Sequence, residues 1–235
     1  MAQKAMKILV AVSSSARYED NHQAMRETWL AAALSVGMDY RFFIEKNTLS
    51  DEENISTGTE DGDMTGRLKF KLAWAYDNGF DFVFSCFPDT YARPERMLTC
   101  GFENYDYFGT VYQHPGGTAY CQGGAGYLVS RKSMEIVRSN PTSYLNDDCW
   151  LGDTLNRDDI VRGHSELFKQ WAGRPEASNS IVTNHLSYVS NSLGVPYTAQ
   201  FMYDEHQNWI YSGGLAVPYV ARSATKRTLR WQGRS

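Results

Sequence analysis

The sequence predicts an α/β fold built on a mostly parallel sheet with crossover helices, and two observations carry that prediction. Within the first 90 or so residues, apolar runs of strand length alternate with amphipathic stretches of helix length, in the order strand, helix, strand, helix, strand. Each helical stretch also ends in a stop signal: Gly37 closes the first, and Asn78-Gly79 the second. With 235 residues, 42% hydrophobic and 21% charged, the chain can bury the core of one large domain and is not a disordered polymer.

The elements follow in order. Residues 7–13, KILVAVS, are rich in branched side chains without alternation, as in a strand covered on both faces, and they end in a serine cluster. NHQAMRETWLAAALSVG (21–37) places Met25, Trp29, Ala32, Ala33 and Val36 at helical spacing. DYRFFIEK (39–46) reads as a second strand, and the acidic, glycine-bearing SDEENISTGTEDGDM (50–64) as a flexible surface loop. TGRLKFKLAWAYDNGF (65–80) is a helix with Leu68, Leu72, Ala75 and Tyr76 on one face, and DFVFSC (81–86) is a third strand. Further on, YDYFGTVY reads as a strand and YCQGGAGYLVS as a glycine turn entering another. RKSMEIVRS and DDCWLGDTLN read as short helices. Beyond about residue 173, turns and short strands dominate. In open parallel sheets ligands bind beyond the carboxyl ends of the strands, which is where Ser13–Ser15 and Asp89 fall.

Composition excludes some roles. A net charge of −4 argues against a protein that coats nucleic acid. The C-terminal ARSATKRTLRWQGRS (221–235) is the exception, with Arg222, Lys226, Arg227, Arg230 and Arg234 and no acid; it reads as a solvated tail or as a phosphate-binding strip. Cys86, Cys100, Cys121 and Cys149 show neither C-x-x-C pairing nor zinc-type spacing with histidine, so free thiols are expected. The N-terminal apolar run is too short for a secretory leader or membrane span and reads as the first strand, which gives the expectation of a cytoplasmic protein without an anchor.

Four stretches carry the chemistry: RETWL (26–30), CFPDTYARPERML (86–98), YCQGGAGYLVSRKSM (120–134) and NDDCWLGDTL (146–155). In this order and spacing they resemble the Fringe-like and core 1-like family of inverting β-1,3-glycosyltransferases, whose motifs read R-x-T-W, D-D-D-T-Y-V, G-G-x-G-Y/F-x-x-S and E/D-D-x-x-x-G. The resemblance spans roughly residues 7–190. It implies a single GT-A domain: a Rossmann-like nucleotide-sugar half over about 1–110, an acceptor half over about 111–221, and the basic tail 222–235 beyond them. It also implies a nucleotide-sugar donor, UDP-linked in the family, and a hydroxyl acceptor.

Carried onto this sequence, the resemblance makes Asp148 the general base and Asp147 its companion. An acceptor hydroxyl becomes an effective nucleophile when a carboxylate takes its proton, a contribution worth roughly 10²–10⁴-fold in rate. The bland alternative for NDD is a helix cap, and Asn146 or Asp147 can cap while Asp148 faces the cleft. Gly123 and Gly124 are expected beside the donor, and Gly126, Tyr127 and Trp150 beside the acceptor. Ser13, Ser14, Arg17, Arg26 and Lys71 are expected at the nucleotide; for Arg26 and Lys71 an ordinary salt bridge is an equal reading.

The metal motif departs from the family. Where the family has three aspartates, this chain has Phe87, Pro88 and Asp89, and the first two offer no oxygen ligand to Mg²⁺ or Mn²⁺. The family's later histidine ligand aligns with Trp171 in LFKQW. Three explanations stay open: Asp89 with phosphate oxygens and water, substitution by His164 or His185, or neutralisation of the diphosphate by fixed cations such as Lys169 and Arg174. Weak or absent metal dependence is the favoured expectation. The alternatives to a sugar-transferring enzyme on glycan or protein are a degenerate member that binds nucleotide or glycan without turnover, and an enzyme acting on modified DNA bases, for which Trp231 among arginines is the relevant feature.

Overall fold

The computed structural model describes residues 5–46, 50–113, 117–143, 146–170, 181–187 and 199–211. Strand β1 (Ile8–Ser13) is buried along its whole length and is an interior strand of a seven-stranded sheet. β2 (Asp39–Ile44) and β4 (Phe82–Cys86) flank it, both parallel to it. The unalternating apolar run of β1 is explained by this position, because its side chains feed two cores. Val10 and Val12 point to one face with Trp29, Phe42 and Phe84. Leu9 and Ala11 point to the other with Phe43, Leu68, Leu72 and Val83.

The first crossover is one helical rod: α1 (Glu19–Met25), a π-helical turn over Arg26–Leu30, and α2 (Ala31–Ser35). The second is α3 (Met64–Asp77), capped by Asp63, whose side chain accepts the Gly66 N–H at 2.8 Å. The acidic segment between them is not wholly loop. Asn54–Ser56 forms β3, a half-buried edge strand parallel to β2. One isoleucine between two polar residues gives no periodicity to read, and pairing with β2 supplies the order.

Next along the chain come β5 (Thr90–Ala92), α4 (Pro94–Met97) and β6 (Tyr107–Gly109). A hairpin of β7 (Val111–Gln113) and β8 (Ala119–Cys121) leads into β9 (Tyr127–Ser130). α5 (Arg131–Ser139), α6 (Asp147–Thr154) and β10 (Arg162–His164) follow. The sheet order is β10-β6-β9-β4-β1-β2-β3, and β9 alone runs against both its neighbours. The turn before β9 needs glycine at 126: its φ is +77°, and a Cβ there would lie 2.6 Å from the Phe84 ring.

A small second sheet joins β11 (Phe168–Lys169), β12 (Thr183–His185) and β5. β12 pairs antiparallel with β5, and His185 stands opposite Thr90. This pairing brings the chain near residue 185 to the carboxyl end of β4. α7 (Gln200–Tyr211) then packs against α1 and the π turn. All four cysteines are free. Among the described residues, no helix is long and apolar enough to cross a membrane.

Candidate functional site

A cavity of about 360 Å³ opens at the carboxyl ends of β1 and β4, where the parallel-sheet rule places it. Ser13, Ser14 and Ser15 line one side, Arg17 and Arg67 supply cations, and Phe87, Pro88 and Asp89 form the far wall with Gly124 and His185. Ser14 Oγ lies 2.6 Å from His22 Nε2, and the imidazole is stacked on Phe42 at 4.3 Å between centroids. Burial lowers the His22 pKa, which keeps the ring neutral and able to accept the serine proton.

Arg67 was not singled out by sequence, yet it is the buried cation of the cavity. It is 2% exposed, and its Nη1 donates to Ser14 O at 2.7 Å, while Nη2 donates to Asp61 O at 2.9 Å. The signal was available: Arg67 and Lys71 are four apart in one helix, so they share a face, and both reach the serines at the end of β1. Lys71 takes the inner position. It is 1% exposed and does not line the cavity; its Nζ donates to Ser13 Oγ at 2.7 Å and lies 5.9 Å from the centre of the Phe87 ring. Burial pulls its pKa down to about 8, opposed by Cys86, Asp147 and Asp148.

Across Gly123 from Phe87 sits the acidic pair. Asn146 caps α6, its Oδ1 accepting the Asp148 N–H at 3.0 Å, so the capping role and the acid role fall on different residues. Asp147 is buried. Asp148 is partly exposed, and its Oδ2 accepts the Gly123 N–H at 2.8 Å. Its Oδ1 is buried with no hydrogen-bond partner. A Cβ at Gly123 would lie 2.5 Å from that oxygen and 2.9 Å from Phe87 Cε2, so only glycine lets strand turn, acid and ring meet. Asp148 is therefore not a lining residue of the cavity but lies across Gly123 from Phe87, which is one. Burial and the neighbouring Asp147 push its pKa up to about 8, against the Gly123 N–H and Lys71. Burial raises Asp147 as well, opposed mainly by Lys71.

Asp89 Oδ2 lies 3.2 Å from His185 Nε2, a contact between residues 96 apart in sequence that the β12–β5 pairing creates. Asp89 Oδ1 and His185 Nδ1 are both buried without a hydrogen-bond partner. Gly124 faces this imidazole, since a Cβ there would lie 2.5 Å from His185 Nδ1. Gln170, next to the expected ligand position, donates no carboxylate; its Oε1 accepts the Ala125 N–H at 2.6 Å. Among the described residues no group of three or more His, Cys, Asp or Glu side chains is arranged for a metal. The donor set is thus one carboxylate and one imidazole; a divalent ion held there would have to take its remaining ligands from a phosphate and water.

Other expected site residues lie elsewhere. Tyr127 and Trp150 are 1% and 4% exposed and belong to the core on the α3 side of the sheet, so neither ring presents a surface to an acceptor. Trp150 spends its N–H on Pro141 O at 3.0 Å. Arg26 is buried within the first crossover, paired at 3.0 Å with both Glu19 and Glu53 and held over Phe42, which realises the salt-bridge alternative. His164 is exposed, with Nδ1 accepting the Val111 N–H at 3.0 Å. Lys169 is half-buried in β11 and does not line the cavity. Trp171, Arg174 and the basic tail lie outside the described residues.

No protein-family model matches the chain, and no curated protein matches it. Among solved structures, the chain is similar to a glycosyltransferase involved in the glycosylation of the major capsid of PBCV-1. The two share 12% identity at a TM-score of 0.51, covering 85% of this chain and 100% of that one. A197 from STIV is matched at 10% identity and a TM-score of 0.40, over 68% of this chain and 82% of that one. The class defined by the first likeness and the sheet is a glycosyltransferase-like α/β fold. The likeness goes no further than the fold, and it does not single out the Fringe-like family.

Proposed function

We propose that the chain is an inverting glycosyltransferase of the Fringe-like type, which transfers a sugar from a nucleoside diphosphate, UDP in the leading reading, to an acceptor hydroxyl. One observation carries this reading: Asp148 is clamped by the Gly123 N–H, across that glycine from Phe87, which lines a cavity with serines and arginines at the strand tips. The cavity supplies cations for a diphosphate, and the acid beside it supplies a base for an incoming hydroxyl. The Ser14, Arg17 and Arg67 side accommodates the nucleotide, and Asp89, Gly124 and His185 face the sugar-phosphate end. A divalent ion, where one binds, would be held by Asp89 and His185 and would stabilise negative charge on the leaving diphosphate.

The test is a thermal-shift screen of nucleotides and nucleotide sugars with and without Mn²⁺. Binding to the folded state alone raises stability by about 2.7 kcal/mol at a hundredfold excess over Kd. A nucleotide sugar should raise the melting temperature in EDTA, Mn²⁺ should enlarge the rise, and His185→Ala should remove only the enlargement. No stabilisation by any nucleotide sugar would end the proposal, and strict metal dependence would end the expectation of weak or absent metal dependence.

The acid makes a separate prediction about pH. A general base works only when deprotonated, and the Asp148 pKa is pushed up to about 8. Donor hydrolysis should therefore rise with pH and level off above about 8. Lys71 favours the ionised form of Asp148, so Lys71→Met should move the rising limb to higher pH. A limb that stays put, or moves down, would separate Lys71 from the acid. A second reading, a binding protein without turnover, draws on Phe87 and Pro88 in place of two carboxylates; donor binding with no hydrolysis at any pH would favour it.

A further inference from the structure

Ser14 directly follows β1, where the chain leaves the strand for α1, and it lines the cavity. Its Oγ lies 2.6 Å from His22 Nε2, the reach expected of a nucleophile and its base. On the other side of the ring, His22 Nδ1 lies 3.4 Å from Glu19 Oε2, long for a hydrogen bond, as catalytic contacts often are before a substrate binds. Glu19 is itself held: its Oε1 accepts from Arg26 Nη1 at 3.0 Å, and Arg26 Nε is anchored on Glu53 at 3.0 Å. Arg26 opens the π-helical turn of the first crossover, an irregularity frequent at functional sites. The imidazole is fully buried and stacked on Phe42, so its two nitrogens keep their directions. Serine, histidine and glutamate thus form a line that starts in the cavity and ends at the surface, where the Glu19 side chain is 67% exposed.

We propose that Ser14 is a nucleophile, His22 its base and Glu19 the residue that positions His22, and that the site cleaves a short-chain carboxylic ester. The proposal is independent of the transfer reading and gives the same end of the cavity a second chemistry. Ser14 Oγ bonds to the ester carbonyl carbon while its proton passes to His22 Nε2. The bond from that carbon to the alcohol oxygen then breaks, and the alcohol leaves with the proton from His22. Water repeats both steps on the acyl-serine, which releases the carboxylic acid and restores Ser14. Arg67 Nη1, 2.7 Å from the Ser14 carbonyl oxygen, sets a fixed positive charge beside the nucleophile, suited to the oxyanion that develops on the ester. A cavity of about 360 Å³ with serine and arginine walls suits a small polar ester better than a long acyl chain. Burial keeps His22 neutral; Arg26 acts in the same sense, and Glu19 and Glu45 act against it.

The test treats the wild-type chain with a fluorophosphonate probe, locates the label by peptide mass spectrometry, and follows hydrolysis of p-nitrophenyl acetate. Ser14 should carry the probe. Ser14→Ala should take up none and lose the hydrolysis, and His22→Gln should slow it by about 10²–10⁴-fold, the contribution of a positioned general base. Glu19→Gln removes a charge that favours the protonated ring, so the rising limb of hydrolysis should move to lower pH, which a merely structural contact would not cause. The proposal is overturned if Ser14 of the wild-type chain stays unlabelled, or if Ser14→Ala or His22→Gln hydrolyses the ester as fast as wild type. A Glu19→Gln limb that stays put or moves up would overturn the positioning role. Labelling is read on the wild-type chain, so it decides the matter even where a variant fails to fold.

Discussion

Asp148→Asn is expected to lower sugar transfer and donor hydrolysis by about 10²–10⁴-fold, the usual contribution of a positioned general base. The substitution is well controlled by its surroundings. Asparagine keeps the shape of the side chain and an oxygen to accept the Gly123 N–H, so the turn at 123 should hold its geometry. Burial disfavours the charge on Asp148 in the folded protein, so removing that charge should not harm stability. The thermal shift produced by the nucleotide sugar should persist, because the donor cavity is lined by other residues. A variant that turns over within a few-fold of wild type would remove Asp148 from catalysis. Asp147→Asn should cost less, since that carboxylate is buried and faces Lys71 electrostatically rather than solvent.

The largest effect on stability is expected at residues that do not line the cavity. Glu205 in α7 and Arg93, just ahead of α4, form an ion pair at 2.9 Å with side chains 0% and 1% exposed. Arg93 also donates to Ile181 O at 3.0 Å, and the Tyr91 hydroxyl meets His206 Nδ1 at 2.9 Å, so α7 is tied to the small sheet by polar contacts in its interior. Glu205→Ala leaves the guanidinium buried without its counter-charge, a loss of about 3–5 kcal/mol. For a chain of this length each kcal/mol lowers the melting temperature by about 2–4 °C. The double change Arg93→Met with Glu205→Leu should recover most of the loss, since apolar replacement of a buried pair is often neutral or stabilising. A Glu205→Ala protein that melts within a degree or two of wild type would show that the pair contributes nothing to holding α7.

Much of the first half of the fold was legible. β1, β2 and β4 are runs of branched and aromatic residues without gaps, and the crossover helices carry their apolar faces at helical spacing with clear stops. α5 falls on RKSMEIVRS as read, capped by Ser130 accepting the Ser133 N–H at 3.3 Å. Edge strand β3 was missed because Asn-Ile-Ser becomes a strand only when β2 offers it a partner. The glycine turn at 123 and the acid at 148 were both named from local motifs, and the structure places them in contact. Tyr127 and Trp150 were placed wrongly because a motif says which residues recur together, not which way a ring points. In β9 and α6 those rings point into the core.

By itself, then, the amino-acid order determined the alternation of strand and helix, the parallel centre of the sheet and the strand ends where a ligand belongs. Those depend on periodicity and steric preference, which act over a few residues. Only the tertiary structure decided that His185 meets Asp89, that Arg67 rather than Lys169 lines the cavity, and that Lys71 lies beneath it. Contacts of this kind join segments far apart in the chain, and their geometry is fixed by strand pairing and burial that no local pattern encodes.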